Sequence, residues 1–214
     1  MDAQQLAQAR DQAMRKTSVV GAIVNLALTI VKIIFGVVGQ SHALIADGMH
    51  SLADLSTDLM VWFAAKYSNQ PADKEHPYGH ARIETAFTVG LGILLILPAI
   101  GIICDSGQRL INPDTLLQPT PIVLLIAVIS ILANEALYQY TVRVAYKVKS
   151  NLLKANAWHH RSDASSSIVV LVGVAGSLMG MPYLDALAAL GVAFMIGKIG
   201  WDQTWHAIRE LIDT

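Results

Sequence analysis

Apolar positions dominate six stretches of the chain, Thr17–Val38, Ala43–Tyr67, Ile83–Cys104, Pro121–Tyr140, Ala155–Met179 and Tyr183–Ile199. Each is close to the roughly 20 residues that a helix needs to cross a bilayer. The pattern predicts an all-α membrane protein with six transmembrane helices over residues 17–206. Residues 1–16 are polar and charged, without the apolar core and small-residue cleavage site of a signal peptide, and are expected to form a cytoplasmic lead-in. Residues 207–214 read as the start of a cytoplasmic tail, with no soluble C-terminal domain expected within these 214 residues.

Two of the six stretches break the apolar pattern. In ADGMHSLADLSTD a helix turning about 100° per residue places Asp47, His50, Ser51, Asp54, Thr57 and Asp58 on one stripe. NAWHHRSDASSS repeats the arrangement, with His159 and Asp163 standing 109 positions after His50 and Asp54. Both stretches therefore read Asp/Asn-x-x-His-x-x-x-Asp, and in each the His and Asp are i,i+4 neighbours one helical turn apart.

Composition and charge support the membrane reading. The chain is 54% hydrophobic and only 14% charged, well below the charge content of a soluble domain. Lys and Arg collect in alternate connections: Arg10, Arg15 and Lys16 before the first span, Lys66, Lys74 and Arg82 around the second loop, Arg143, Lys147, Lys149 and Lys154 around the fourth, and Arg209 after the sixth. The opposite connections contribute only Arg109. Positive residues are retained on the cytoplasmic side, so both termini are expected there, in a bacterial inner membrane. A net charge of −1 gives no reason to expect a nucleic-acid partner, and one cysteine, Cys104, excludes an intrachain disulfide.

An ionised carboxylate near the bilayer centre costs at least about 2.5–3.5 kcal/mol on insertion scales. Polar residues that only hold helices together contribute about 0.6 kcal/mol each and need no charge. Two matched His–Asp pairs fit an ion site better: packed face to face they offer two imidazoles and two carboxylates, a set that suits tetrahedral Zn²⁺. Asp47, Asp58, His160 and the neighbouring serines read as partners that orient the ligands, as lining of an aqueous path, or as plain packing. Asn25, Asn134 and Glu135 are expected to bond neighbouring helices, and Lys32 and Lys198 to snorkel or face a cavity. Pro98 is expected to kink the third helix, and Gly173, Gly176, Ser177 and Gly180 to let the fifth approach a partner closely. The second loop, NQPADKEHPYGHARIE, contains Asp73, His76 and His80, whose composition alone is weak grounds for a metal site.

In combination, SHALIADGMHSLADLSTD, QPADKEHPYGHARIE and WHHRSD resemble the cation diffusion facilitator family, over essentially the whole chain as its transmembrane domain. The resemblance implies divalent-cation efflux by proton antiport, usually from a homodimer. It makes His50, Asp54, His159 and Asp163 the transport site and Asp73, His76 and His80 a second site in the cytoplasmic loop. Some members carry Asp where this chain has His50; the two-His, two-Asp version is associated with zinc, consistent with the preference of imidazole for Zn²⁺ over Mn²⁺ or Mg²⁺. Fe²⁺, Co²⁺ and Cd²⁺ also accept such ligands. Members commonly continue into a soluble domain of ferredoxin-like fold, which the residues up to Thr214 do not supply. The family pattern also pairs Arg82 with Asp213, a bridge worth about 0–1 kcal/mol if exposed.

No enzyme is expected: H-E-x-x-H is absent, and four protein ligands leave no vacancy for a reactive water. A haem carrier with His50 and His159 as axial ligands conflicts with the adjacent Asp54 and Asp163. A non-transporting metal sensor or scaffold is the remaining alternative.

Overall fold

The computed structural model describes residues 3–67, 81–112, 116 and 118–212. It contains six helices: α1 Ala3–Val38, α2 His42–Tyr67, α3 Ala81–Ile111, α4 Ile122–Lys147, α5 Asn151–Leu178 and α6 Tyr183–Ile212. Among the described residues there is no strand. The helices outrun the apolar stretches because polar residues at their ends, such as those of α6 beyond Ile199, keep helical hydrogen bonding outside an apolar zone. α3 continues through Pro98 as one element.

Among the described residues, four helices contain segments long and apolar enough to cross a membrane: Gln12–Val38, Thr88–Ile111, Ile122–Lys147 and Tyr183–Arg209. Among the described residues α2 and α5 fall short of that measure, because they carry the polar stripes. The bundle is arranged accordingly. α1 turns Val19, Ile23, Leu26, Ile30, Ile34 and Val37 outward and buries Thr17, Asn25, Thr29 and Lys32. That inverts the pattern of a soluble helix, as expected where the surroundings are hydrocarbon and polar groups must find partners inside.

The most extensive helix contacts are α3 with α6, α4 with α5 and α1 with α2, while α2 also touches α6, α3 and α5. The core, including Ala43, Leu44, Val123, Val170, Val192 and Ile196, joins α2, α4, α5 and α6. Small residues set the closest approaches. On α5, Gly173 and Gly176 lie against Leu184 and Ala188 of α6, as the glycine run predicts. α3 and α6 meet at a pair the sequence reading did not single out: a Cβ on Gly92 would lie 2.7 Å from the Gly200 carbonyl oxygen, and one on Gly200 would lie 2.8 Å from that of Gly92. Gly92→Val is therefore expected to destabilise the protein by about 2 kcal/mol. Denaturant unfolding in detergent checks this, and unchanged unfolding would mean that the two helices separate there without cost.

α2 starts at an anchored corner. Ser41 precedes its first residue, and the Ser41 hydroxyl accepts the Leu44 N–H at 3.1 Å, an N-cap that satisfies one free backbone donor. The same hydroxyl donates to Asp185 Oδ1 at 2.6 Å, and the His42 N–H donates to Asp185 Oδ2 at 2.9 Å. The first turn of α6 is thus pinned to the first turn of α2, and the carboxylate meets the positive end of the α2 dipole. Beside it, Asp105 of α3 lies 3.0 Å from His42 Nδ1 and accepts from Arg109 Nε at 2.9 Å. Together these contacts fix where the polar stripe of α2 faces.

Candidate metal site

Helical spacing places His50 and Asp54 on one face of α2, and His159 and Asp163 on one face of α5. Two contacts give the helices' relative direction. Asp47 meets Ser166 and Ser167, while Asp54 faces His159. Lower numbers on α2 therefore oppose higher numbers on α5, and the helices run antiparallel. The sequence repeat hides this, since it matches Asp47 with Asn156 rather than with the two serines.

The antiparallel crossing brings all four chemistry-bearing residues to one place. One nitrogen of His50 and one oxygen each of Asp54 and Asp163 lie within 4.8 Å of one another. His159 Nε2 is 3.8 Å from both Asp54 Oδ2 and Asp163 Oδ2, and His50 Nε2 is 3.8 Å from Asp54 Oδ2. A tetrahedral Zn²⁺ with ligands at 2.0–2.1 Å needs ligand–ligand edges of roughly 3.3 Å. The three edges of 3.8 Å would have to shorten by about half an ångström and those bounded by 4.8 Å by up to about 1.5 Å, adjustments of the size that side-chain rotation makes. His50 and Asp163 are buried, Asp54 is partly buried, and the His159 side chain is 38% exposed. His50 Nδ1 and Asp163 Oδ1 are buried with no hydrogen-bond partner among the described residues, an arrangement that calls for a bound group to satisfy it.

The neighbours predicted from sequence divide. Asp47 is buried and accepts the Ser166 hydroxyl on Oδ1 and the Ser167 hydroxyl on Oδ2, each at 2.8 Å. It reaches the ligand set through Ser166, whose hydroxyl also lies 2.8 Å from the Asp163 carbonyl oxygen. His160 turns to α1, where a Cβ on Gly21 would lie 3.3 Å from its Nε2. Both of its ring nitrogens are buried without a hydrogen-bond partner among the described residues. Glu135 is met by Gln139 one turn along α4, at 2.9 Å. The side chains of Asp58 and Arg82, and all of Asp73, His76, His80 and Asp213, lie outside the described residues.

Lys32 differs from the expectation that it snorkels or faces a cavity. It is wholly buried, with Nζ 2.8 Å from Asp47 Oδ2 and donating to Ser51 Oγ at 3.1 Å. The signal available in the sequence was a lone cation in the middle of α1, well inside the apolar stretch, where an acid on another helix is the economical neutraliser. Nothing in the sequence alone selected Asp47 from the acids nearby.

Comparison with known proteins identifies the family of the chain. Residues 18–212 match the family model described as the cation efflux transmembrane domain. The chain is 37% identical over 191 residues to the magnetosome protein MamB of Magnetospira sp. (strain QH-2), covering 89% of this chain and 65% of that protein. It is 38% identical to an uncharacterized transporter of Methanocaldococcus jannaschii, covering 88% of this chain and 66% of the other. Identity to the manganese efflux system protein MneP of Bacillus subtilis is 32%, over 97% of this chain and 72% of that one. The chain thus spans roughly two thirds of the length of these curated relatives.

Proposed function

The chain belongs to the cation diffusion facilitator family, as a cation efflux transmembrane domain, and from that premise we propose that it exports a divalent metal cation, zinc foremost, in exchange for protons. The observation that carries this reading is the meeting of His50 and Asp54 from α2 with His159 and Asp163 from α5. Two carboxylates neutralise a dication, and two imidazoles supply the nitrogen that Zn²⁺ prefers and Mn²⁺ does not require. A second reading, manganese as cargo, is favoured by the name of the B. subtilis relative. Fe²⁺ and Cd²⁺ are further competitors.

The ligands bind metal only as neutral His and ionised Asp, so protons and the cation compete for the same atoms. With the site open to a near-neutral cytoplasm, the cation displaces protons. Once the site opens outward, protons return to the ligands and release it. Alternating access follows when the helix pair bearing the ligands moves against the rest. His159, the most exposed of the four, is the ligand best placed to meet an arriving cation.

The same reading puts both termini in the cytoplasm, since Arg143, Lys147, Lys149 and Lys154 crowd the α4–α5 connection. It assigns the loop residues Asp73, His76 and His80 a supplementary metal site on that side, and the working unit is a homodimer. Stacked Trp201 and Trp205, with Arg209 over the Trp205 ring at 4.9 Å, supply the aromatic and basic anchoring expected at the cytoplasmic lipid boundary.

The test is transport in proteoliposomes with an imposed pH gradient, comparing Zn²⁺, Fe²⁺, Mn²⁺ and Cd²⁺ one at a time. Zinc flux is expected to be largest and to move protons the opposite way. Zinc affinity should fall steadily as the pH is lowered, because protons compete with the cation for the same ligand atoms. Zinc flux without proton movement, and with no response to pH, would refute the antiport reading.

A further inference from the structure

Lys32 is the largest wholly buried side chain of the described bundle, at 0% exposure. Its ammonium sits among groups from three helices: Lys32 on α1, Asp47 and Ser51 on α2, and, through Asp47, Ser166 and Ser167 on α5. Close approach of α1 makes this arrangement fit. A Cβ on Gly48, the residue after Asp47, would lie 2.7 Å from Ile33 Cγ1 and 3.2 Å from Lys32 Cβ.

Asp47 stands one turn from His50 on the same stripe. It is a third carboxylate beside a site that already has two. A free carboxylate in that position would be drawn to an incoming dication. Here both of its oxygens are occupied: Oδ1 by Ser166, and Oδ2 by Ser167 and the ammonium. An added oxygen ligand would raise the coordination number and harden the donor set, which favours Mn²⁺ over Zn²⁺.

We infer that Lys32 is a specificity-determining residue, whose ammonium holds Asp47 away from the transported cation and so keeps the site at two nitrogens and two oxygens. The inference rests on the proposed transport site and names what sets its preference.

The experiment measures Zn²⁺ and Mn²⁺ binding by purified full chain in lipid nanodiscs and reads the ratio of the two affinities. Lys32→Met leaves the Asp47 carboxylate held only by two neutral serine hydroxyls, which a dication outcompetes, and is expected to move the ratio toward Mn²⁺ by about tenfold or more. Asp47→Asn leaves an unmatched ammonium near the site, so both affinities should fall together and the ratio stay within about twofold. Lys32→Met combined with Asp47→Asn should return the ratio to its parent value. A folded Lys32→Met protein with an unchanged ratio, or a shifted ratio in Asp47→Asn, overturns the inference. If Lys32→Met does not fold, Lys32→Gln, which removes the charge but keeps a polar partner for Asp47, is read in its place: a shift toward Mn²⁺ supports the inference, and an unchanged ratio overturns it. His50→Ala separates this from the underlying reading. An unchanged number of zinc ions bound per chain in His50→Ala means the transport site itself is misassigned, whereas loss of one bound zinc alongside an unshifted Lys32→Met ratio removes only the role of Lys32.

Discussion

Asp163→Asn is expected to weaken zinc binding by at least about 100-fold, the upper end of what loss of an outer supporting residue costs a metal site. The apo protein should unfold no more easily than its parent. Both halves follow from the geometry. Asp163 is buried, and one of its oxygens lies within 4.8 Å of an Asp54 oxygen. Without a cation these two acids repel in a medium that screens them poorly. Asparagine relieves the repulsion while keeping the shape, so apo stability should hold or rise by about 1 kcal/mol.

Zinc separates the two forms. At 100 times its dissociation constant, a ligand stabilises the folded parent by about 2.7 kcal/mol, and the variant should gain almost none of this. Unfolding in detergent with and without zinc, beside calorimetric titration, measures all of it. Were Asp163 only a tie between helices, the substitution would lower apo stability and leave the response to zinc intact. That outcome would remove Asp163 from the proposed site.

Asp185→Ala is expected to cause the largest loss of stability, about 3 kcal/mol. The carboxylate is 3% exposed and accepts from the Ser41 hydroxyl and the His42 N–H, tying the first turn of α6 to the first turn of α2. Alanine leaves the buried Ser41 hydroxyl and the part-buried His42 N–H without their acceptor. Asp185→Asn retains one amide oxygen and should lose about half as much. The consequence extends to the metal site, because the anchored end of α2 sets the rotation that aims His50 and Asp54 at α5. Zinc affinity should therefore fall with stability in the alanine variant. Unfolding free energies for both variants check the prediction, and equal stability of alanine variant and parent would mean that the corner is held by its other contacts.

These two residues differ in how far the sequence revealed them. Asp163 announces itself, because a carboxylate one turn from a histidine inside an apolar stretch is too costly to be incidental, and a second copy of the same spacing tells where its partners are. Asp185 does not. It lies in the first turn of its helix, where an acid is ordinary, and its partners are more than 140 positions away. Lys32 stands between the two cases: its charge in mid-helix demands a partner, yet Asp47, Asp54 and Asp163 all qualified until α1 was placed. The glycines divide in the same way. A run such as Gly173 and Gly176 marks a contact face by repetition, whereas Gly92 and Gly200 become a contact only because α3 and α6 cross where both lack a side chain.

Period and composition alone determined six apolar helices, the polar faces of α2 and α5 and the residues on them, since a helix's own geometry fixes which side chains share a face. The antiparallel sense of α2 and α5 follows from their order among six alternating spans, but the tertiary structure alone decided their stagger, so that Asp47 meets serines rather than its sequence counterpart. It also decided that α1 delivers Lys32 to that acid and that α6 caps α2. The physical reason is that hydrophobicity orients a membrane helix only toward or away from lipid; which neighbour it faces, and at what depth, depends on close packing and on pairing buried polar groups across the whole bundle.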